Sequence, residues 1–539
     1  MNVLKKYKHI PKGKKIGMQT NYSTDHNEKF DFLTDLYFTA STHSWFNLGQ
    51  EIYAFRAPGG FVIYAPLKQI AAIVDPRTFS EFALATKEKD NSANSGYRLL
   101  QFISTKQSLQ IKKTSSSETD FMPTEAILSP TSGCTLKCEY CYANGGDKPY
   151  DMDPAIAILA IDFVIDNARK LGVDYIGIGF HGQGEPTHNW KLFRSFVEYT
   201  ESECRKFGII PSFGLATNGI LDSDQVSYLV GKNFKLSVSL DGTKEVMDTL
   251  RPARNGGSSF DAVLRTIRQI DSESGNYGIR TTVTPNTVGR MTEFVEFLSS
   301  ETECKYVVLE QMFRAGRAAN QQFDPKEFSK AFIEGYLAAF SLGKQLGIVV
   351  DTGAKVEGLR LSFCKAHGND LNFYIRNDGR VLSCYEVAAN NHQYFDEFCY
   401  GQIDPKQQKI SFDQKKIVSL FRMGYPSNLD CADCFAKWNC AGGCFLRTKR
   451  DQIEYCNLHR TILIDSILKK ASSTMEMLLG FENDHVNGSY DISANDFPDS
   501  ASLKKQQPRR GSVIIELEGI QEPMACGCVN KTRSWYGLY

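Results

Sequence analysis

Between about residue 124 and residue 345, short apolar runs rich in β-branched residues alternate with helical patterns. The runs TEAILSP, YIGIGFHG, SFGLATNG, KLSVSLDG, IRTTVTP and YVVLEQM mostly close on Gly, Pro or Asn, which marks each as a strand leading into a turn. Between the first two, Asp153 can accept first-turn amides and Pro154 suits that turn, while Ile158, Ile161, Ile165 and Ala168 recur at helical spacing. Six such β-then-α units predict an α/β fold over residues 123–345. Its parallel sheet is expected to curl into a partial (β/α)6 TIM-type barrel with the active site at the carboxyl ends of the strands.

The flanks follow other patterns. Residues 1–122 mix polar and aromatic positions, with a hairpin-like YAFRAPGGFVIYAPL, a helical LKQIAAIV and a Ser/Thr/Lys-rich linker, STKQSLQIKKTSSSETD; they read as a small N-terminal α+β domain. Residues 364–456 hold eight cysteines and too few long periodic segments for a conventional core, so a domain organised around metal is expected over 346–470. Residues 471–539 turn polar and close on SVIIELEGIQEPMACGCVNKTRSWYGLY, with one strand-like run and the thiols of Cys526 and Cys528.

Composition narrows the function. Among 539 residues, Lys+Arg and Asp+Glu both total 62, which leaves no global field to attract nucleic acid or anionic lipid, and neither is expected as a partner. The basic N-terminal stretch lacks an apolar signal core, and the longest apolar run, AIAILAIDFVID, is too short to span a bilayer. A cytoplasmic location follows. There thiols stay reduced, so the 15 cysteines point to metal ligation rather than disulfides.

The first cluster, SGCTLKCEYCYANGG, sets Cys134, Cys138 and Cys141 in the form C-x3-C-x2-C directly after the first strand. Three thiolates bind three irons of a [4Fe–4S] cube and leave the fourth for another ligand; zinc with three cysteines and a water, or unliganded buried thiols, are the alternatives at this point. The spacing and its place resemble the radical S-adenosylmethionine (radical SAM) superfamily. The resemblance implies that Cys134, Cys138 and Cys141 are catalytic cluster ligands, and that Tyr140 contacts S-adenosyl-L-methionine. It further implies that Gly182, Gln183, Gly184 and Glu185 of HGQGEPT hold its methionine amino group, with Gln183 in place of the usual second glycine. Thr217 and Asn218 of ATNG, Ser239 and Asp241 of SVSLDG, and Arg251 of LRPARNG would line its ribose and carboxylate. One electron delivered through the open iron would cleave the sulfonium to a 5′-deoxyadenosyl radical able to abstract hydrogen.

Downstream, FYIRNDGRVLSC reads as a hairpin turning at Asp378-Gly379 and delivering Cys384 toward Cys364, followed by CADCFAKWNCAGGC and Cys456. Compact C-x2-C pairs also suit structural zinc. The seven-cysteine pattern looks like the SPASM extension found beside radical SAM domains. By that resemblance Cys431, Cys434, Cys440 and Cys456 ligate one auxiliary [4Fe–4S] cluster, and Cys364, Cys384 and Cys444 give three ligands to another, for three clusters in all. Where sulfatase-modifying relatives carry a fourth cysteine this chain has Asp370, with Cys399, Cys526 and Cys528 as other donors. Where those relatives carry an aspartate base it has Tyr385 followed by Glu386, the candidate base. Cys204 and Cys304 read as apolar packing residues.

The resemblance is greatest to maturases of ribosomally made peptides and spans about residues 120–465. It implies an oxidoreductase that abstracts hydrogen from a peptide residue and closes a thioether, carbon–carbon or similar crosslink, with auxiliary clusters accepting the surplus electron. A peptide or protein with a leader would be the substrate, its leader expected to add as a strand to the domain of residues 1–122, and flavodoxin or ferredoxin the external electron donor. Two other readings stay open: a side-chain dehydrogenase of the sulfatase-maturase type, and a metal or electron-transfer protein without catalysis. The tail is expected either to mimic the substrate or to be a fused one.

Overall fold

A computed structural model describes residues 45–57, 60–87, 94–109, 121–354, 358–360, 362–368, 371–387, 389–423, 431–480 and 512–516. Asp370, Cys526, Cys528 and most of the Ser/Thr/Lys-rich linker lie outside these residues.

The N-terminal part is an antiparallel sheet of β1 (Trp45–Gly49), β2 (Ile52–Ala57), β3 (Gly60–Ala65) and β4 (Ile70–Val74). The expected hairpin is β2–β3, with Ala57 opposite Gly60. LKQIAAIV is not a helix. A 3-10 turn at Pro66–Lys68 ends on Gln69 in the left-handed region (φ +55°), and the next five residues pair with β3 as a strand. Its β-branched Ile70, Ile73 and Val74 suit a pleated surface, and the sheet overrides the helical spacing. One face of the sheet, with Ile63, Ile70, Ala72 and Val74, packs on helices Pro76–Ala85 and Ser95–Thr105. The other, with Tyr53, Phe55 and Tyr64, joins the main core.

Each of the six apolar runs is a strand: β5 (Glu125–Leu128), β6 (Tyr175–Phe180), β7 (Ile210–Thr217), β8 (Lys235–Ser239), β9 (Asn276–Val283) and β10 (Tyr306–Gln311). They are parallel and adjacent in chain order, as right-handed β-α-β connections dictate, and β11 (Val349–Asp351) adds a further parallel strand beside β10. The helix Pro154–Leu171 starts where Asp153 accepts the Ala155 amide (3.0 Å) and ends on Gly172 at φ +67°. Its buried stripe runs through Ala157, Ile161, Val164 and Ala168. Ile158, read as part of that stripe, is half-buried on the flank.

At its other edge the sheet continues into the cysteine-rich region. There β12 (Tyr374–Ile375) runs parallel to β5, and β13 (Arg380–Leu382), β14 (Cys399–Asp404) and β15 (Lys409–Phe412) follow in an antiparallel array. The predicted hairpin is β12–β13, and Gly379 takes φ +83° at a point where a Cβ would lie 2.5 Å from the Ile403 carbonyl. The expectation that this region lacks a conventional core is overturned. Phe373, Tyr400 and Phe412 cluster with Phe163 of the α/β part, and the 36-residue helix Phe445–Gly480 buries Leu458, Ile462, Leu463 and Ile467. The last described strand, β16 (Ser512–Glu516), pairs antiparallel with β4.

The N-terminal sheet sits on the cysteine loop 431–440. Trp45 donates to the Asp433 carbonyl (2.7 Å), Tyr64 to Asn439 Oδ1 (2.9 Å), and the Glu51 carboxylate accepts from Trp438 Nε1 (2.6 Å), Lys437 Nζ (2.8 Å) and Tyr53 Oη (2.9 Å). Replacing that one acceptor removes a hydrogen bond from each of three donors at a part-buried interface, although Lys437 keeps the Ala432 carbonyl (2.8 Å). Glu51→Ala should therefore lower the unfolding free energy by about 1–3 kcal/mol in guanidinium titrations of the metal-loaded protein, and an unchanged midpoint would show that the sheet docks without it.

Candidate functional site

The site is built from loops that leave the carboxyl ends of β5 to β10. After β5 the chain crosses to the cysteine loop, which is laid on the turn that follows β6: the Glu185 amide donates to the Gly133 carbonyl (2.8 Å), and Gly146 donates to Ser132 (2.7 Å). Only glycine fits between them. A Cβ on Gly184 would lie 2.3 Å from the Gly133 carbonyl oxygen, and Gly182 adopts φ +140°.

Two arginines hold the loop from the far side. Arg317 donates to the carbonyls of Cys138 (3.1 Å) and Gly145 (2.9 Å) and to Asp147 (2.6 Å), and Arg254 donates to Leu136 (3.1 Å), Gly145 (2.9 Å) and Asp147 (2.8 Å). Neither arginine is predicted from the sequence. Arg254 lies three residues past Arg251 in LRPARNG, and Arg317 sits in the loop after β10, 179 positions from Cys138.

Cys134, Cys138 and Cys141 are brought together as expected. Burial pushes the Cys134 thiol up to about 11, with Glu185 and Cys141 adding to it. Burial takes Cys138 to about 12, against the downward pull of Arg251 and with repulsion from Cys141 and Cys134. Asn218 donates to the Cys134 sulfur (3.7 Å) and to Thr135 Oγ1 (2.9 Å).

Glu185, expected to hold a methionine amino group, is buried and its carboxylate is already engaged. It accepts from Thr187 Oγ1 (2.7 Å), the Thr187 amide (3.3 Å), Thr217 Oγ1 (2.9 Å) and the Asn218 amide (2.6 Å). It thereby ties the β6 turn to the end of β7, and Thr217 is spent on the same task. Asp241 likewise pairs with Arg251 through two hydrogen bonds (2.8 and 3.1 Å), accepts from the Thr282 amide (2.9 Å) and from the Tyr140 hydroxyl. Burial opposes charge on Arg251, but Asp241, Tyr140 and Cys138 outweigh it and keep the guanidinium protonated. Tyr140, Asp241 and Arg251 are thus one buried network beside Cys138 rather than three separate lining residues. Ser239 ends β8, half-buried.

The residues fit the group that the spacing implies. The thiols act on one another within a ring of hydrogen-bond donors, and Gln183 Oε1 in the adjoining turn is buried without a hydrogen-bond partner, an acceptor suited to an ammonium group. Among the described residues no three His, Cys, Asp or Glu side chains could hold a single metal ion. The fit therefore rests on the donor chemistry, each sulfur of a cube taking its own iron.

The other predicted ligands also fall into two groups. Cys384 is raised far above a normal thiol by burial, then by Glu386, Cys444 and Cys364; Cys440 is raised by burial, then by Cys456, Cys434 and Cys431. Cys399 stands apart, its thiol by the Gly401 carbonyl (3.9 Å) and the Lys416 ammonium. Cys204 and Cys304 are buried, as their packing role requires. Glu386 faces Arg447 (3.8 Å), which also pairs with buried Glu310 (3.0 Å) at the end of β10. Tyr385 is set edge-on to His181, with ring centroids 4.7 Å apart. Burial and Arg280 lower His181 to about 3, so that imidazole is neutral.

Comparison with known proteins agrees with this geometry. Residues 128–298 match the Radical SAM superfamily. An uncharacterized protein of Methanocaldococcus jannaschii is 31% identical over 173 residues, which span 32% of this chain and 57% of that protein. The cysteine-type anaerobic sulfatase-maturating enzyme of Clostridium perfringens is 25% identical over 354 residues, 62% of this chain and 91% of that enzyme. Solved structures of anSMEcpe share the fold. The form with bound AdoMet superimposes at TM-score 0.52 and 20% identity over 68% of this chain and 96% of that one, and the form with AdoMet and the Kp18Cys peptide at TM-score 0.51, 19%, 67% and 99%.

The close approach of the two loops is testable. Gly184→Ala should force them apart, and after anaerobic reconstitution the variant should hold about four fewer irons per chain than the parent while keeping its helical circular dichroism. Full iron content would show that the contact is not needed to shape the thiol set.

Proposed function

We propose that this chain, which carries a radical SAM domain, is an oxidoreductase that modifies a peptide or protein by hydrogen abstraction and closes a thioether, carbon–carbon or similar crosslink. The observation that carries the reading is the sorting of ten cysteines into three groups of mutually repelling thiols. One group lies at the carboxyl end of β5 against the Gly182–Glu185 turn, and another is fed by the hairpin that extends the same sheet. Sulfatase maturation and a bound peptide in the named relatives support a peptide or protein as substrate, within an expected SPASM region over 346–470.

When bound, the cluster and S-adenosylmethionine would supply a 5′-deoxyadenosyl radical. Cys134, Cys138 and Cys141 would hold that cluster, Gln183 Oε1 and the turn backbone the methionine amino group, and Arg251 a positive charge beside Cys138. Cys431, Cys434, Cys440 and Cys456 would hold one auxiliary cluster, and Cys364, Cys384 and Cys444 the other. The buried rings of Tyr385 and Tyr374 meet edge-on (centroids 6.2 Å apart), and His181 stands edge-on to Tyr385. Flavodoxin or ferredoxin would deliver the electron in a cytoplasmic setting. Among the described residues no helix is long and apolar enough to cross a membrane.

Sulfatase-type dehydrogenation is the second reading, favoured by the named relatives. It needs a carboxylate directly after the hairpin cysteine, and this chain sets Tyr385 there. Glu386 is the candidate base in the crosslinking reaction.

Anaerobically reconstituted protein should contain about twelve irons and release 5′-deoxyadenosine from S-adenosylmethionine and dithionite. Cys138→Ala should hold about eight irons and lose at least ~100-fold of that product by chromatography. Deoxyadenosine formation that persists in Cys138→Ala would reject the assignment.

A further inference from the structure

The helix Phe445–Gly480 connects the two thiol groups of the cysteine-rich region. It starts directly after Cys444 of one group and carries Cys456 of the other, and Tyr455, one residue before Cys456, is buried at 4% exposure. The Tyr455 ring lies against Phe363, the neighbour of Cys364 (centroids 6.2 Å), against His459 (4.6 Å) and under the Arg447 guanidinium, 5.8 Å from its centroid. The ionisable groups that act on its hydroxyl are Arg447, Cys444, Cys440 and Glu310, so it is near members of both groups. Yet Tyr455 Oη is shut off from solvent and has no hydrogen-bond partner among the described residues.

A buried phenol left unmatched costs stability, and native proteins keep few of them. A second donor beside it is in the same condition. Arg447 donates from Nη1 to Glu310 (3.0 Å) and turns Nη2 toward Glu386 (3.8 Å), while its buried Nε has no partner among the described residues. The Arg447 amide meets the Cys444 sulfur. At the other thiol group the arginine is already engaged, its side chain donating to Cys434 from Arg460. Unclaimed donors therefore collect on the Cys444 side.

We infer that Tyr455 donates its hydroxyl hydrogen to a sulfur of the auxiliary cluster held by Cys364, Cys384 and Cys444, and that this bond raises that cluster's reduction potential. The inference rests on the auxiliary clusters proposed above. Reduction adds one negative charge to a cluster, and a hydrogen bond to its sulfur offsets that charge, so the bond favours the reduced form. The effect is local to the sulfur that accepts it.

The test uses the full chain, reconstituted anaerobically, and the Tyr455→Phe variant, which removes one oxygen and keeps the ring. Both should hold about twelve irons. In potentiometric titrations followed by electron paramagnetic resonance, the signal that is lost in Cys444→Ala should shift its midpoint downward in Tyr455→Phe by about 59 mV, a tenfold change in the one-electron equilibrium. The other two midpoints should stay in place. Electron–nuclear double resonance of the reduced parent in D2O should show an exchangeable deuteron coupled to the shifted cluster, and Tyr455→Phe should lack it. With full iron, an unmoved midpoint and an unchanged deuteron coupling would overturn the role of Tyr455 alone. A shift common to all three clusters would report a loosened fold and overturn it as well, as would a shift confined to the cluster of Cys431, Cys434, Cys440 and Cys456. A parent holding only about four irons would overturn the auxiliary clusters and this inference together.

Discussion

The structure depends on the cost of ionising buried thiols. Ten cysteines are gathered in three places; burial and neighbouring thiols make ionisation costly at Cys134, Cys138, Cys384, Cys440 and Cys444, and at each place cationic or amide donors are set against them. Arg251 does this for Cys138, Asn218 for Cys134, Arg447 for Cys444 and Arg460 for Cys440. A metal-free fold keeps those five thiols protonated. An iron–sulfur cluster held by Cys134, Cys138 and Cys141 would take their protons' place, and the donors already set around the thiols would face its charge.

Geometry follows from that demand. Three sulfurs can face one point only if the loop carrying them is folded tightly, and a tight loop exposes carbonyls that need partners. Arg254 and Arg317 provide those partners, and both also engage Asp147, so one carboxylate fixes two guanidinium forks against the same loop. Glu185 performs the matching task between β6 and β7. Its four accepted hydrogen bonds make it a structural acceptor, which leaves the neighbouring Gln183 oxygen and the glycine backbone as the groups that can meet a ligand.

Much of this was legible in the chain. Parallel strands announce themselves by short β-branched runs closed with Gly or Asn, and C-x3-C-x2-C spacing is set by local loop geometry, so six strands and the Cys134, Cys138 and Cys141 group could be read from short windows, whereas the sorting of the other seven cysteines came from the resemblance to the SPASM pattern. What failed depended on long-range partners. The pairing of β12 with β5, which merges the α/β part and the cysteine-rich region into one eleven-stranded sheet, joins residues some 250 positions apart. Arg317 reaches Cys138 over 179 positions. Asp241 and Arg251 were identifiable as polar strand-end residues, but only the fold shows that they neutralise each other and present the pair, with Tyr140, to a thiol.

The misread segment LKQIAAIV shows the same limit from the other side. Its apolar positions satisfy a helical period and a buried strand almost equally, and nothing within eight residues can choose between them. The choice is made by β3 on one side and β16 on the other, one nearby in the chain and one more than 400 residues away. A strand whose small, uncharged residues are sound only when both edges are paired carries in its composition the need for a partner. That need joins the first sheet of the molecule to its last described segment, and it places that segment on the sheet whose opposite edge is fastened to the 431–440 cysteine loop.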